Sequence, residues 1–348
     1  MALIDLVSDT ATIPTPAMLA AMSTAPLGDE QRGEDPTTAA LEARVATLLG
    51  TERALALPSA TMANQIALAL HVEAGGEVIA HTSAHVVHYE GGGTAIIARA
   101  QPYLLDTPRG VFTAADVEGA IRVDDPHYPR SQCVVIENTS NGGGGTPWPL
   151  QVLDEVYALC AARGLAVHVD GARLWHAAVA HNVPLARLVH GATTVQVCFS
   201  KGLGCPFGAV LALPAALWPR ARRLKQALGG ALRQSGVMTA AMSYALDHHL
   251  PALVDDHRRA QRLAAGLRAI AGIGVEPVDT NLVFFTVAAP QSFMTALRER
   301  DVRVGSVSQT VTPGPLRLRA CLHRDIDDAM VDAVIGACAY ASSLSNVR

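Results

Sequence analysis

The sequence predicts an α/β protein: a large domain with a mostly parallel sheet covered on both faces, followed by a small α+β carboxyl-terminal domain. Three observations predict it. Short apolar runs alternate with amphipathic segments through the first two-thirds of the chain. One of those segments carries a complete helical face between two runs. The final third changes texture, to alternating strands and an Ala-rich helix. Of 348 residues, 50% are hydrophobic and 17% charged, which suits a chain that buries a sizeable core in more than one domain.

The elements follow in order. Arg53–Leu57 (RALAL), Glu77–Ala80 (EVIA), Gln132–Ile136 (QCVVI), Leu165–Val169 (LAVHV) and Thr194–Phe199 (TVQVCF) are short and rich in branched residues. They read as strands of a doubly covered parallel sheet. Leu153, Val156, Tyr157 and Cys160 recur at i, i+3, i+4 and i+7, which predicts a helix over Leu150–Arg163 stopped by Gly164. The flanking strands make this a right-handed βαβ unit. Further on, Pro251 suits a first helical turn, and Leu263, Leu267 and Ile270 mark that helix's buried face. Asn281–Val287 and Leu316–Leu322 read as strands, and a last helix starts near Asp327. The expected division is an arm at 1–14, a large domain at 15–245 and a small one at 246–348.

A formal charge of −4, with no zinc-finger spacing and no basic helix, argues against a nucleic-acid partner. The opening MALIDLVSDT lacks a basic region followed by an apolar stretch, and no window of about 18 residues is free of polar groups. A soluble cytoplasmic protein with no membrane partner is expected. The six cysteines form no C-x-x-C pair and read as buried free thiols.

Four segments carry chemistry. In CFSKGLGCPFG an apolar run delivers Lys201 to a glycine-rich turn. A buried lysine tends to lose its proton, and a neutral amine is what imine formation with an aldehyde cofactor needs. Gly202 and Gly204 would leave room for a flat ring; the plain alternative is a surface loop lysine. In HVDGAR, Asp170 ends a buried strand, where open α/β sheets place ligands. A carboxylate there can keep the pyridine nitrogen of pyridoxal phosphate (PLP) protonated, and Arg173 can reach a carboxylate. The alternatives are a helix cap and a solvated arginine. In LPSATMANQ, Ser59, Ala60 and Thr61 open a helix that can cradle phosphate, or simply cap it. In HTSAHVVHYEGGG, His85 can stack on a cofactor ring or move protons, while His81, His85 and His88 at helical spacing also allow a metal site; no metal is expected. Arg233 in GGALRQSG, and Arg319 beside Arg317 on an alternating strand, can bind anions or lie in solvent.

Together DLVSDT, GEDPT, ALEARVATLLG, AHVVHYEGGG, ENTSNGGGGTPWP, HVDGARLWHA, FSKGLGCPFGA, LRQSG and DTNLVFF resemble the L-threonine aldolases, over Asp5 to about Ile326. The resemblance implies PLP fold type I, the aspartate-aminotransferase-like fold of the β-eliminating lyase group. It implies retro-aldol cleavage of a β-hydroxy amino acid to glycine and an aldehyde. Lys201 looks like the Schiff-base lysine, Asp170 like the partner of the pyridine nitrogen, and His85 like the histidine stacked on the ring. Ser8, Arg173 and Arg319 look like the grip on the substrate carboxylate. Ser59, Ala60 and Thr61 sit where the phosphate loop lies, with Arg233 reaching in from a neighbouring subunit. A homotetramer with sites at dimer interfaces is implied.

This chain also departs from the family pattern. Ser140 stands where a histidine is usual, Arg32 where a tyrosine is, Val7 and Ile13 where arginines are common, and Ala60 where the phosphate loop usually has glycine. These departures predict an intact cofactor site beside an altered side-chain pocket, and hence a preference for a substrate other than threonine. The remaining alternatives are a PLP lyase or transaldolase of the same fold acting on a bulkier or more polar β-substituted amino acid, and a PLP-fold protein without catalysis. The presence of both Lys201 and Asp170 argues against the last. Whether His85 or a water is the general base stays open at this level.

Overall fold

A computed structural model describes residues 3–307 and 316–345; the outermost residues of the expected arm and small domain, 1–2 and 346–348, lie outside the described residues. Among them the chain forms twelve strands: β1 (Ile4–Leu6), β2 (Arg53–Leu57), β3 (Glu77–His81), β4 (Gln101–Leu105), β5 (Ser131–Glu137), β6 (Ala166–Gly171), β7 (Thr194–Cys198), β8 (Ala209–Leu213), β9 (Ile273–Val275), β10 (Leu282–Val287), β11 (Val302–Val307) and β12 (Arg317–Cys321). The large sheet has the order β2-β8-β7-β6-β5-β3-β4, the small one β1-β11-β12-β10-β9. In the large sheet β7, β6, β5, β3 and β4 pair in parallel, while β8 runs against β2 and β7.

The five runs read as strands are β2, β3, β5, β6 and β7. They are apolar throughout because helices cover both sheet faces, so neither side of the strand meets water. β4 lacks that signature. It is an edge strand whose Gln101, Pro102 and Leu104 are exposed, and Pro102 is tolerated where donors are needed on one side only. β8 follows Gly208, whose φ of +112° lets the chain double back antiparallel. β1 is three residues long and forms by pairing with β11, Ile4 beside Val302. The expected arm thus contributes a strand to the small sheet.

The helix Leu150–Arg163 has the expected bounds, buries Leu153, Val156, Tyr157 and Cys160, and ends on Gly164 at φ +69°. Pro251 instead sits in a single 3-10 turn, Leu250–Ala252, and the α-helix runs Leu253–Arg268. Leu263 and Leu267 are fully buried, and Ile270 packs on the same core just beyond the helix end. That core unites Leu263, Phe285, Phe293 and Leu318 around the small sheet, apart from the core of the large sheet built on Val134, Val169, Val195 and Trp148.

Parallel pairing has one consequence for function. The carboxyl ends of β3, β5, β6 and β7 lie along one edge, so the turns after them converge. A local test of the fold concerns Gly164. Replacing it with Val puts a branched side chain in the left-handed region and should lower stability by about 1–2 kcal/mol, read as a fall in the urea midpoint. Gly164→Asn should cost less.

Candidate active site

The turns after β3, β5, β6 and β7, with the amino-terminal segment and the small sheet, enclose a cavity of about 290 Å³. Its lining includes Ser8, His85, Glu137, Asn141, Arg173, Lys201 and Arg319. The chain has two lysines. Lys225 is 3% exposed and ion-paired to Glu30 at 2.5 Å, which leaves Lys201 as the amine open to an aldehyde. Its backbone is fixed: Thr12 Oγ1 donates to Lys201 O (2.9 Å), and Gly204 N donates to the same carbonyl (2.8 Å). The neighbouring glycines answer to protein packing rather than to a ring. A Cβ on Gly202 would meet His176 Nε2 at 2.8 Å, and one on Gly204 would meet Arg324 Nη1 at 2.8 Å.

Asp170, 1% exposed, ends β6. Its Oδ1 accepts from Ala172 N (3.1 Å) and its Oδ2 from Asn64 Nδ2 (2.8 Å). His85 Nδ1 lies 2.8 Å from Glu90 Oε1, and one atom each of His85, Glu90 and Asp170 fall within 4.8 Å of one another. Burial opposes charge on His85, but the Glu90 hydrogen bond and the charges of Asp170 and Glu90 outweigh it and raise its pKa. The three histidines at helical spacing do not converge. His81 bonds Ser83 and Thr107, and His88 bonds the carbonyl of Thr82. Glu137 links the two turns above the sheet, accepting from His85 N and Asn141 N, both at 2.7 Å. Burial, then the charge of Asp170, pushes its pKa up.

Two guanidiniums face the cavity. Arg173 forms a two-pronged pair with Asp9 (Nε–Oδ2 and Nη2–Oδ1, both 2.7 Å), and Arg319 Nη2 donates to Val7 O (2.8 Å). Asn141 Oδ1 accepts from both, at 3.2 Å from Arg173 and 2.9 Å from Arg319. Arg319 Nε is buried and has no partner among the described residues. A free donor beside two positive charges suits a ligand carboxylate. Ser8 lines the same wall, its Oγ accepting from Thr10 N at 3.3 Å.

Other expected residues fall elsewhere. Ser140 is buried in its own turn, where its Oγ accepts from Gly143 N (3.2 Å) and abuts Gly110; it does not line the cavity. Arg32 lies in the turn Glu30–Arg32 with its side chain 74% exposed, near Asp29 at 3.8 Å. The expectation of a side-chain pocket altered by these two residues therefore loses its basis within this chain: one hydroxyl is spent on a backbone amide and one charge faces outward. Arg233 also points outward, 61% exposed, on Asp29 at 3.1 Å. Ser59 caps the helix Ala60–His71, its Oγ accepting from Met62 N at 3.2 Å, so Ala60 and Thr61 form that helix's open first turn.

The residues that sequence reading did not assign are Asp9, Asn64, Glu90, Glu137 and Asn141. All stand inside quoted segments, yet their partners are distant in the chain. The set as a whole fits PLP: an accessible amine, a buried carboxylate at the sheet edge, an imidazole and an anion grip. Burial would raise the Asp9 pKa, but the charge and hydrogen bonds of Arg173 hold it well below the usual carboxylate range. With the folded pKa depressed, this pair's contribution is complete above about pH 4 and is lost as acid protonates Asp9. Asp9→Asn leaves a buried unpaired charge and should cost about 3–5 kcal/mol, with a flatter loss of stability on acidification than the parent shows in urea melts.

A family model described as β-eliminating lyase matches residues 5–290. The probable low-specificity L-threonine aldolase 2 of Arabidopsis thaliana is 36% identical over 339 residues, 95% of each chain. The low specificity L-threonine aldolase of Escherichia coli K12 is 40% identical over 286 residues, 82% of this chain and 85% of that one. Among solved structures, the threonine aldolase of Leishmania major superposes with a TM-score of 0.82 at 23% identity, covering 99% of both chains. A serine palmitoyltransferase of Sphingomonas wittichii does so at 0.78 and 20%, covering 99% of this chain and 88% of that one. The architecture is that of PLP fold type I, and the chain belongs to the β-eliminating lyase family, among relatives named L-threonine aldolases.

Proposed function

We propose that this protein is a PLP-dependent carbon–carbon lyase that cleaves threonine-like β-hydroxy-L-amino acids to glycine and an aldehyde, with the cofactor joined to Lys201. The observation that carries the reading is a cavity lined together by the one accessible lysine, Arg173, Arg319, His85 and Asn141. PLP, when bound, supplies an electron sink for the pair of electrons left on Cα. The chain supplies orientation, charge and proton handling.

Asp170, buried at the end of β6, would hold the ring nitrogen and favour its protonated form. His85, oriented by its bond to Glu90, would pack on the cofactor. Arg173, Arg319 and Ser8 would take the substrate carboxylate and so fix the orientation of the amino acid in the cavity. The β-hydroxyl proton is taken at His85 Nε2 or by a water it holds. Ser59, Ala60 and Thr61 hold the phosphate at a helix amino terminus. Arg233 and Arg32 serve a neighbouring subunit's site in a homotetramer. Supporting that assembly are their outward side chains and the exposed Ile13, Leu19 and Leu27, at 70%, 48% and 47%. A cytoplasmic setting agrees with six buried free thiols. Among the described residues no helix is long and apolar enough to cross a membrane.

Two outcomes test this reading. Lys201→Ala should abolish aldehyde release from L-threonine and L-allo-threonine together with the cofactor's visible absorbance, and borohydride should fix cofactor to Lys201 alone in the parent. A borohydride-fixed adduct in Lys201→Ala would overturn the assignment. Arg319→Ala should raise KM for either substrate by at least about tenfold, the worth of a charged hydrogen bond, with a smaller change in kcat; an unchanged KM would remove Arg319 from the carboxylate site.

A further inference from the structure

Behind Asp170 runs a chain of buried polar groups, Asn64, His168, Thr194 and His71, that none of the roles above uses. His168 and Asp170 stand two residues apart on one face of β6. Against them packs the helix Ala60–His71, with Asn64 and His71 seven residues apart on one of its faces. Asn64 Nδ2 donates to Asp170 Oδ2 (2.8 Å) and to Glu90 Oε1 (2.7 Å), while its Oδ1 lies 3.0 Å from His168 Nε2. His168 Nδ1 is 2.9 Å from Thr194 Oγ1, which is 2.9 Å from His71 Nε2. Asn64, His168, Asp170 and Thr194 are each at most 1% exposed.

The donors in this chain have one consistent assignment. Asn64 Nδ2 lies on Asp170 Oδ2 and Glu90 Oε1, and its oxygen faces His168 Nε2. His168 then donates from Nε2. Burial holds its pKa down to about 4, so it is neutral and its Nδ1 accepts, from the Thr194 hydroxyl. Thr194 Oγ1 in turn accepts from His71 Nε2, a ring that burial also keeps neutral, with a pKa near 3. Every donor thus points toward Asp170. The charged and titratable groups around that carboxylate are Glu90, Glu137, His85, His168 and, beyond Thr194, His71.

We infer that Asn64 is a positioning residue for the cofactor: one buried amide holds Asp170 as an oriented carboxylate under the ring nitrogen and, through Glu90, sets His85 on the ring, with His168, Thr194 and His71 fixing the amide's own orientation. The inference deepens the reading of Asp170 as ring-nitrogen partner and rests on it. The shared amide gives each carboxylate a donor and fixes both in one orientation. The neutral imidazoles add no compensating charge, so the proton balance stays with the cofactor.

The test uses the PLP-loaded enzyme and two readouts, turnover and the pH midpoint of the Lys201-bound cofactor's visible absorbance. Asn64→Ala should keep that absorbance, raise its midpoint and lower kcat by about ten- to a hundredfold, the range seen on losing an outer-shell partner, with KM changed less than about threefold. The midpoint rises because a ring that loses its nitrogen proton withdraws fewer electrons and leaves the nitrogen shared with Lys201 more basic. Thr194→Val, nearly isosteric and bonded to His168 and His71 rather than to Asn64 or Asp170, should move the midpoint the same way by less, and it keeps the inference testable if Asn64→Ala does not fold. Asp170→Asn separates the two readings. If it leaves midpoint and kcat unchanged, the cofactor reading of Asp170 fails. If it impairs both while Asn64→Ala and Thr194→Val leave them at parent values, the inference about Asn64 fails.

Discussion

The cavity depends on one buried ion pair. Asp9 lies in the amino-terminal segment, Arg173 just past the end of β6, and the pair forms two bonds of 2.7 Å with side chains 0% and 5% exposed. Asp9 also accepts from Asn281 Nδ2 of the small-sheet region at 3.3 Å, and its carbonyl shares Thr12 Oγ1 with the carbonyl of Lys201. A single residue therefore ties the large sheet and the small sheet through its carboxylate, and the lysine turn through its carbonyl. Such a pair adds little net stability over an apolar pair of equal volume, but breaking it leaves a charge without solvent. Its contribution is registry: with Asp9 in place, β1 can reach β11 and Arg173 presents its remaining N–H bonds to the cavity.

The site's charges are arranged by region. Carboxylates gather at the sheet edge, at Asp170, Glu90 and Glu137, and guanidiniums line the same cavity at Arg173 and Arg319, where an anionic carboxylate would lie. Asn141 stands between the arginines and gives both one acceptor without adding a charge. A carboxylate at that position would satisfy the same donors but would repel a carboxylate ligand. Arg319 is partly stripped of water, and its pKa is lowered by burial and by Arg173; that state favours binding of a counter-charge over exposure.

The departures at Ser140 and Arg32 show how a family pattern can mislead when it is read position by position. A serine in place of a histidine suggests an emptied substrate pocket. In the fold, Gly143 and Gly110 bring backbone so near Ser140 that its hydroxyl is enclosed and bonded. Arg32 belongs to a surface turn of its own chain, so its meaning depends on what packs there. The glycines after Lys201 show the same lesson in the other direction, since His176 and Arg324, not a cofactor, occupy the space beside them.

The strands β2, β3, β5, β6 and β7, the helix Leu150–Arg163 and its Gly164 cap were legible in the sequence because each is governed by local periodicity and by a backbone angle that glycine tolerates. Lys201, Asp170 and Arg173 were legible for a related reason: each stands at or just past the carboxyl end of an apolar run, where parallel strands must open onto a ligand. Nothing local marks Asp9 as the partner of Arg173, 164 residues away, or Asn64 as the partner of Asp170, 106 residues away. Asp9 reads as a turn residue and Asn64 as a polar interruption in an apolar helix. Strand order alone brings these groups within hydrogen-bond distance, and burial then makes those bonds obligatory, because a polar group removed from water must find its partner inside the fold.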